Sequence, residues 1–598
     1  MCGIAGYIAK NRGSQLAVML ESMEHRGRDG VAFYSRGTVH MGMNRLAIND
    51  LRKNPFPMIY KNFSLIFNGE IYNYKFLKHR LERRGFRFVT SCDAEVILPL
   101  YDQYGPKAFS KLEGMFAICI YDNKNNILIL ARDKVGEKPL YFIQEGKSFV
   151  FSSELKALIH TSTRQLNTPL LGEYFTQGFV GSNRTLVQGI HKVLPSEYLL
   201  YNVSSGKLET STYWNLPQVS LSSESEIELI RRLETHLESS VNNRLLSDVP
   251  VGCFLSGGID SSLVTLFAAK KLPGLKTFSV SFPTFEEHDE SKFAFRVARQ
   301  LGTDHTEVCC TPHSVKTVLK IIGKIIDDPI VDPAVLPTYL MAHEARKKVK
   351  VVLTGEGADE LFAGYYRYIR EIIIESIRSR VPLPAWLEGL SKFIFPRRFR
   401  KLFLSFPSRY RAQSIWSSNE LTALLSPSTY GSLVFPSPPI NRVDMLQTMQ
   451  VADFRGYLAS ALLTKVDRMT MANNLEARAP YLDTKIIELA LSLPTKDKIR
   501  LFQNKYILRK LAQRHFPRWH SLRPKHGFSV PLRDWFNKEL RREVSASLAE
   551  LSNFSSLFNL SFIKTLMEEH RERRRDNSDK IWALIVLGSW LSEHKLQL

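Results

Sequence analysis

From Glu226 onward, long helical patterns alternate with short apolar runs, the rhythm of an α/β core with extra helices toward the C-terminal end. Two of those runs break into glycine. Asp248-Val249-Pro250-Val251-Gly252-Cys253 leads through Phe254-Leu255-Ser256-Gly257-Gly258-Ile259-Asp260-Ser261-Ser262 into Leu263 to Ala269, which predicts strand, glycine loop and buried helix. Val351 to Phe362 (VVLTGEGADELF) repeats that order, and Thr277 to Phe282 predicts a strand between them. Upstream, Leu112 to Asp122 alternates as a strand does, turns at Asn123 to Asn126, and finds a partner in Ile127 to Ala131. A stretch rich in Ser, Thr and Pro from about Ser204 to Ser225 marks a linker, so the expected division is 1–205, linker 206–225, and 226–598. Ile581 to Gly588 is the longest tempting apolar run, and it is short enough to be a core helix.

Composition narrows this picture. A chain of 598 residues needs more than one core. With 44% apolar and 23% charged residues it is neither disordered nor collagen-like. It opens Met1-Cys2-Gly3, without the basic and apolar regions of a signal peptide, and a cytoplasmic location is expected. Cys2, Cys92, Cys119, Cys253, Cys309 and Cys310 have the spacing of neither a zinc site nor a disulfide framework, so reduced thiols are expected. A net charge of +22 asks for anionic partners. Its densest runs, Pro396 to Lys401, Arg514 to Lys525 and Arg571 to Arg575, carry no nucleic-acid-binding signature, and the expectation is solvated faces that steer an anionic ligand. Leu390 to Phe395, the arginines after it and Leu402-Phe403-Leu404 are basic and apolar together, which admits a weak contact with an anionic membrane surface. A homodimer is compatible with the sequence but has no signature in it.

The glycine loops carry chemistry. A strand, a Gly-Gly turn and a helix start aim backbone N–H groups and a helix dipole at an anion, and phosphate is the natural guest. Ser256 and Ser261 add hydroxyls, while Asp260 cannot itself favour phosphate and so suggests a bridging divalent cation. The Lys-Ser/Thr of a Walker A loop is absent. SGGIDSS resembles the signature of the PP-loop ATP pyrophosphatases, which implies cleavage of ATP to AMP and pyrophosphate. In the second loop, Asp359 is placed to share Mg²⁺ with Asp260, leaving Glu356 for the acceptor or its incoming amine.

Cys2 follows a methionine that an aminopeptidase removes before a small side chain. Its freed α-amine, with a pKa of about 8, can then activate its own thiol. MCGIAGY at Met1 to Tyr7, His25 to Gly30 (HRGRDG), Arg45-Leu46-Ala47-Ile48, Phe67 to Asn73 (FNGEIYN) and Asp93-Ala94-Glu95 together resemble the class II glutamine amidotransferases. The resemblance implies an αββα sandwich of the N-terminal-nucleophile hydrolase type, with Cys2 attacking the glutamine amide. It implies an oxyanion hole at Asn68 and Gly69, Arg45 on the α-carboxylate, and Glu70 and Asp93 on the other backbone groups, with Leu46, Ala47, Ile48 and Asn49 completing the pocket. The chemistry of the residues agrees: Arg45 offers a planar fork and Asp93 a counter-charge, and each oxyanion donor contributes roughly 3 kcal/mol. One departure is visible, Arg28 where proline is usual, which frees φ in that loop.

Lys465-Val466-Asp467-Arg468 and Met469 to Asp483 (MTMANNLEARAPYLD) extend the likeness to the glutamine-hydrolysing asparagine synthetase family over nearly the whole chain. That resemblance implies ATP contacts at Phe254, Val280, Thr354 and Gly355, besides Ser256, Gly257, Gly258, Asp260 and Ser261. It also implies that Glu356 assists ammonia attack on an acyl-adenylate and that Lys465 stabilises charge at the reacting phosphorus. A related branch that closes β-lactam rings lacks the cysteine and carries Tyr in place of Glu356. Glutamine, ATP with Mg²⁺, and a carboxylate acceptor, by default aspartate, are the expected ligands. Asp327 to Ala334 (DDPIVDPA) stands where well-known members carry a Thr-rich segment, so a sugar acid, peptide or other natural-product carboxylate is the alternative acceptor. An RNA-modifying PP-loop protein is the alternative from another class.

Overall fold

The computed structural model describes residues 2–9, 15–51, 55–161, 164–217, 221–380, 414–433, 444–523, 527 and 529–597. The N-terminal part is a pair of antiparallel sheets. The first runs in the order His191–Lys192, Tyr141–Glu145, Ser148–Ser152, Cys2–Ile8, Val39–Arg45, Gly30–Arg36. The second runs Leu208–Thr212, Glu197–Asn202, Ile127–Arg132, Gly114–Asp122, Phe63–Ile71, Met58–Tyr60. The hairpin expected around Asn123 to Asn126 lies in this sheet.

Alternation along Cys2–Ile8 explains why two layers become four. Cys2, Ile4 and Ile8 join Met41, Met43, Leu65 and Phe67 in the core between the sheets. Ala5 and Tyr7 point the other way, into helices Gln15–Glu21 and Leu155–Ile159. Helices Tyr74–Glu82 and Ile97–Tyr104 lie against the second sheet. A strand buried on both faces must read as nearly continuous apolar, which this one does.

The expected linker is in part structural. Leu208–Thr212 pairs with Glu197–Asn202, so the second sheet takes its last strand from inside the stretch read as linker. The linker's last residue, Ser225, caps helix Glu226–Arg244 through a reciprocal bond with Glu228.

The remainder is built on a parallel sheet, Asp304–Cys309, Lys276–Ser281, Val251–Phe254, Val351–Leu353, Glu476–Arg478. The chain lays down three strands outward from Val251–Phe254, then returns to its other side with Val351–Leu353. The strand order reverses there, and a crevice opens at the strands' C-terminal ends. Ile581 to Leu587 is wholly buried within helix Ser578–His594, as a core helix should be. No helix of the described residues is long and apolar enough to cross a membrane.

The two parts share cores rather than abut. Leu46 and Ile48, from the loop after Val39–Arg45, sit in the same apolar cluster as Leu263, Leu353 and Tyr481. The interface also holds buried charge. Arg26 bonds Glu154 (2.7 Å) and grips Asp467 with two nitrogens (2.8 and 3.0 Å). Arg468 joins Asp467 (3.0 Å) and Asp327 (2.9 Å). Burial opposes the charge of Glu154, but His25, Lys156 and Arg468 overcome it and hold the carboxyl well below its ordinary range. Arg26, Arg468, Glu154 and Asp467 each have more than one opposite neighbour, the condition under which buried ions are tolerated.

Candidate functional site

Two sites face one another across this interface. In the first, Cys2 begins the central strand of its sheet, directly opposite Arg45 on the neighbouring strand. Its thiol is buried, which raises its pKa, while the N-terminal charge, a backbone bond from Leu46 and Arg45 pull the other way. Arg26 holds the Cys2 carbonyl through Nε at 3.1 Å.

Asn68 and Gly69 lie on Phe63–Ile71 in the facing sheet. The Asn68 carbonyl oxygen accepts from the Cys2 backbone nitrogen at 3.0 Å. Its amide nitrogen is buried and has no hydrogen-bond partner among the described residues. An orphaned donor beside a nucleophile is what an oxyanion hole requires before substrate arrives. Gly69 is obligatory for a different reason: a Cβ there would lie 2.0 Å from the Met115 carbonyl oxygen.

Arg45 donates to the carbonyls of Asn49 (3.0 Å) and Asp50 (2.7 Å). Asn49 in turn donates to Glu70 at 2.6 Å. Leu46, Ala47 and Ile48 are buried in this loop. Asp93 accepts the Ile71 N–H at 2.6 Å. Burial raises both carboxylates, Asp93 to about 6, and Glu70 is raised further by Asp93 beside it. Arg478, from the parallel-sheet part, lies 3.3 Å from Glu70 and offsets this. All the residues assigned to the glutamine pocket from sequence are therefore brought together. Arg478 was not foreseen. Arg28 is exposed, and the Asp29 beside it ties the Ala47 N–H (2.8 Å) to Lys350 (3.0 Å).

The second site is a cavity of about 530 Å³ at the C-terminal ends of the parallel strands. Phe254, Ser256, Gly257, Gly258, Asp260, Ser261, Val280, Thr354, Gly355, Glu356, Asp359 and Lys465 all line it. Val251–Phe254 runs through the loop into helix Ile259–Lys271, as predicted. Gly257 has φ +73°, and a Cβ there would meet the Ala294 nitrogen at 2.5 Å, so only glycine fits. Ser256 and Ser261 hydrogen-bond each other (3.0 Å), and the Ser256 hydroxyl accepts the Gly258 N–H.

The cations here were mostly missed from sequence. Lys505 sits between the two acidic residues read as metal ligands, bonded to Asp260 and 2.6 Å from Asp359. Arg523 pairs with Glu290 and, with Arg509, lines the same cavity. Among the described residues no group of three His, Cys, Asp or Glu could hold a metal. Asp260 and Asp359 nonetheless converge on one cation position, and two carboxylates fit a hard divalent ion that takes its other ligands from phosphate and water.

Lys465 lies elsewhere in the cavity, 2.9 Å from Asp332. Burial works against its charge, but Asp332 and Glu356 outweigh that and raise its pKa. It follows a run of π-helix, Phe454–Leu462, which places Tyr457 and Leu462 in the same wall. Such wide turns are rare and recur at functional sites.

The Asp327 to Ala334 segment divides its labour. Asp327 caps helix Leu155–Ile159 through the Leu155 and Lys156 N–H groups (2.6 and 2.8 Å), and Asp328 pairs with Lys192 (2.6 Å). Only Asp332 and Ala334 of it reach the cavity. His305 stands in strand Asp304–Cys309, between the hydroxyls of Thr277 and Ser279 at 2.9 Å each, a structural histidine. Arg571 to Arg575 is ion-paired at the surface, for example Arg575 with Glu420, which accords with a solvated face. The basic apolar stretch Leu390 to Leu404 lies outside the described residues.

Between the sites is a small void of about 10 Å³, lined by Glu137 and Lys138 from one side and Thr354, Glu356, Val466, Asp467 and Arg478 from the other. Glu356 lines both cavities.

Residues 1–214 match the glutamine amidotransferase domain model, and residues 232–592 the asparagine synthase model. The chain is 33% identical to asparagine synthetase [glutamine-hydrolyzing] 1 of Bacillus subtilis, covering 99% of this chain and 96% of that one. It is 29% identical to a putative asparagine synthetase [glutamine-hydrolyzing] of Mycobacterium tuberculosis, covering 99% and 97%. A more distant relative is amidase chyE of Penicillium rubens, at 26% identity over 93% of each chain. With its paired antiparallel sheets, its parallel-sheet crevice and a match running through both, the chain belongs to the asparagine synthase family, the ATP-dependent glutamine amidotransferases.

Proposed function

We propose that the chain transfers the amide nitrogen of glutamine to aspartate, forming asparagine, glutamate, AMP and pyrophosphate. The observation that carries this reading is Glu356, which lines the nucleotide cavity on one side and the interdomain void on the other. A nitrogen released at Cys2 and a carboxylate activated at the phosphate loop would meet at that residue.

The Cys2 thiol, activated by the α-amine freed when Met1 is removed, attacks the glutamine side-chain carbon. The Asn68 amide and the Gly69 N–H take up the developing oxyanion, ammonia leaves, and water cleaves the thioester to glutamate. In the second cavity the acceptor carboxylate oxygen attacks the α-phosphorus of ATP and pyrophosphate departs. Lys505 and Arg523 lie where they can take up the charge of the leaving group. Asp260 and Asp359 would hold Mg²⁺, whose chemistry is to share the negative charge of the phosphates. Ammonia then attacks the acyl carbon, Glu356 accepts a proton from the incoming nitrogen, and AMP leaves. Passage through the interface would keep ammonia unprotonated, and the small void lined by Val466 and Arg478 lies on that interface.

The test is pyrophosphate release from ATP and Mg²⁺ with glutamine, with and without aspartate, following asparagine. Stoichiometric AMP, pyrophosphate and asparagine, reduced to an ammonia-dependent reaction in Cys2→Ala, uphold the reading. Glutamine hydrolysis with no response to aspartate would move the acceptor to a larger carboxylate. A second reading of that kind is favoured by Tyr365, Tyr366 and Tyr457, which line the cavity and offer stacking surfaces to a ring-bearing acceptor such as a sugar acid.

A further inference from the structure

We infer that Asp248, a residue of the nucleotide-binding half, is a positioning residue for glutamine: it sets the turn that aims Arg45 at the substrate carboxylate. This rests on the assignment of Arg45 to that carboxylate under the proposed function.

The geometry runs in steps. Asp50 ends the glutamine loop with φ +54°, a left-handed conformation that aspartate adopts more readily than most residues and that here turns the chain. Its neighbour is Asp248. Its carboxylate accepts the Asp50 N–H at 2.8 Å, and its own N–H donates to the Ile48 carbonyl at 3.0 Å. These two bonds clamp the turn from both sides. Held so, Asp50 and Asn49 direct their carbonyls onto one nitrogen of Arg45, at 2.7 and 3.0 Å. A guanidinium is a planar fork, so two carbonyls fixed on one prong determine where the other prong points.

Among the described residues, Asp248 is the side chain that accepts the Asp50 N–H. Asp248 is 198 residues away from Asp50 in sequence. It lies just ahead of Val251–Phe254, the strand that delivers the phosphate loop. It is exposed, so replacing its side chain removes the carboxylate bond to Asp50 and leaves the backbone bond to Ile48, without opening a core.

The test uses the full chain and three proteins: wild type, Asp248→Ala and Asp248→Asn. Ammonia release is measured from glutamine and from glutaminamide, which carries an α-carboxamide in place of the α-carboxylate. Asp248→Ala should raise KM for glutamine about tenfold with kcat within about twofold, the size expected for losing one charged hydrogen bond that acts through binding. The KM for glutaminamide should not move. Asp248→Asn still presents an oxygen to the Asp50 N–H and should return to within about threefold of wild type. An unchanged glutamine KM in Asp248→Ala overturns the inference, and so does an equal rise for both substrates, which would mark a general loosening. A wild-type protein that hydrolyses no glutamine overturns the parent reading and this one with it.

Discussion

The glutamine pocket and the nucleotide cavity solve opposite problems. The pocket lies within sheet interiors, where Cys2, Arg45, Asn68 and Asp93 are each tied to named backbone groups. The Asn68 amide nitrogen is buried there with no hydrogen-bond partner among the described residues, and in the proposed function it is the donor for the oxyanion. The cavity is larger, and its charges face one another: Lys505 with Asp260 and Asp359, Lys465 with Asp332. Those ion pairs hold Lys505 and Lys465 in their charged forms, and under the proposed function a triphosphate would have to exchange partners with them. One site is set for a single small molecule; the other is held ready for a succession of ligands.

The sharpest way to break this contrast is to remove one nucleophile. Cys2→Ala should lower glutamine-dependent synthesis by more than about 10³-fold and leave synthesis from added ammonia near wild type. Coupled loss of both would mean that the sites are not separable. Asn68→Ala comes next. If its amide nitrogen is the waiting oxyanion donor, kcat for glutamine hydrolysis should fall about 10²- to 10³-fold with KM little changed; a pure KM effect would make it a binding group instead.

Lys505→Met tests the other side. It strands Asp260 and Asp359 together, and pyrophosphate release should fall about 100-fold while glutamine hydrolysis stays within about twofold. Acid titration separates the sites more gently. Asp93 is raised to about 6 by burial, so protonation below that pH removes the counter-charge for the substrate ammonium. The kcat/KM for glutamine should therefore fall about tenfold per unit below pH 6, and Asp93→Asn should flatten that limb at a low plateau. The smallest effect is expected at Arg28→Pro. Gly27 before it is extended (φ −168°, ψ 112°), as a residue preceding proline must be, so stability should rise by about 0.5–1 kcal/mol in thermal unfolding without changing activity.

Sequence and structure agree best where function is local. The strand, glycine loop and helix around Ser256 to Ser262 are written in consecutive residues, and so are the turn partners at Asn123 to Asn126. The glutamine pocket was legible because its residue types, an arginine fork, an acid and a side-chain amide beside glycine, each suit one task. What stayed hidden is what crosses between distant segments. Lys505 lies 245 residues from Asp260, in a stretch that reads as an amphipathic helix with solvated cations. The two carboxylates did announce a missing positive charge, and Mg²⁺ was the cation expected to share them. Arg478 and Asp248 carry no periodicity that marks them. The linker strand Leu208–Thr212 was missed because its exposed, polar residues look like linker; it is held by backbone pairing at a sheet edge. Nor did the +22 charge lie wholly in solvent, since Arg26, Arg468, Arg478 and Lys505 are buried.

Leu46 and Ile48 are packed within the apolar core of the ATP-binding half. The halves are consequently poor interchangeable parts. A chimera joining this glutamine-hydrolysing front to the back of a relative with a different acceptor would inherit a foreign seat for those two side chains, and with it a misshapen glutamine loop. New acceptors in such proteins should therefore arise by change within the acceptor wall, with the seam between the halves retained.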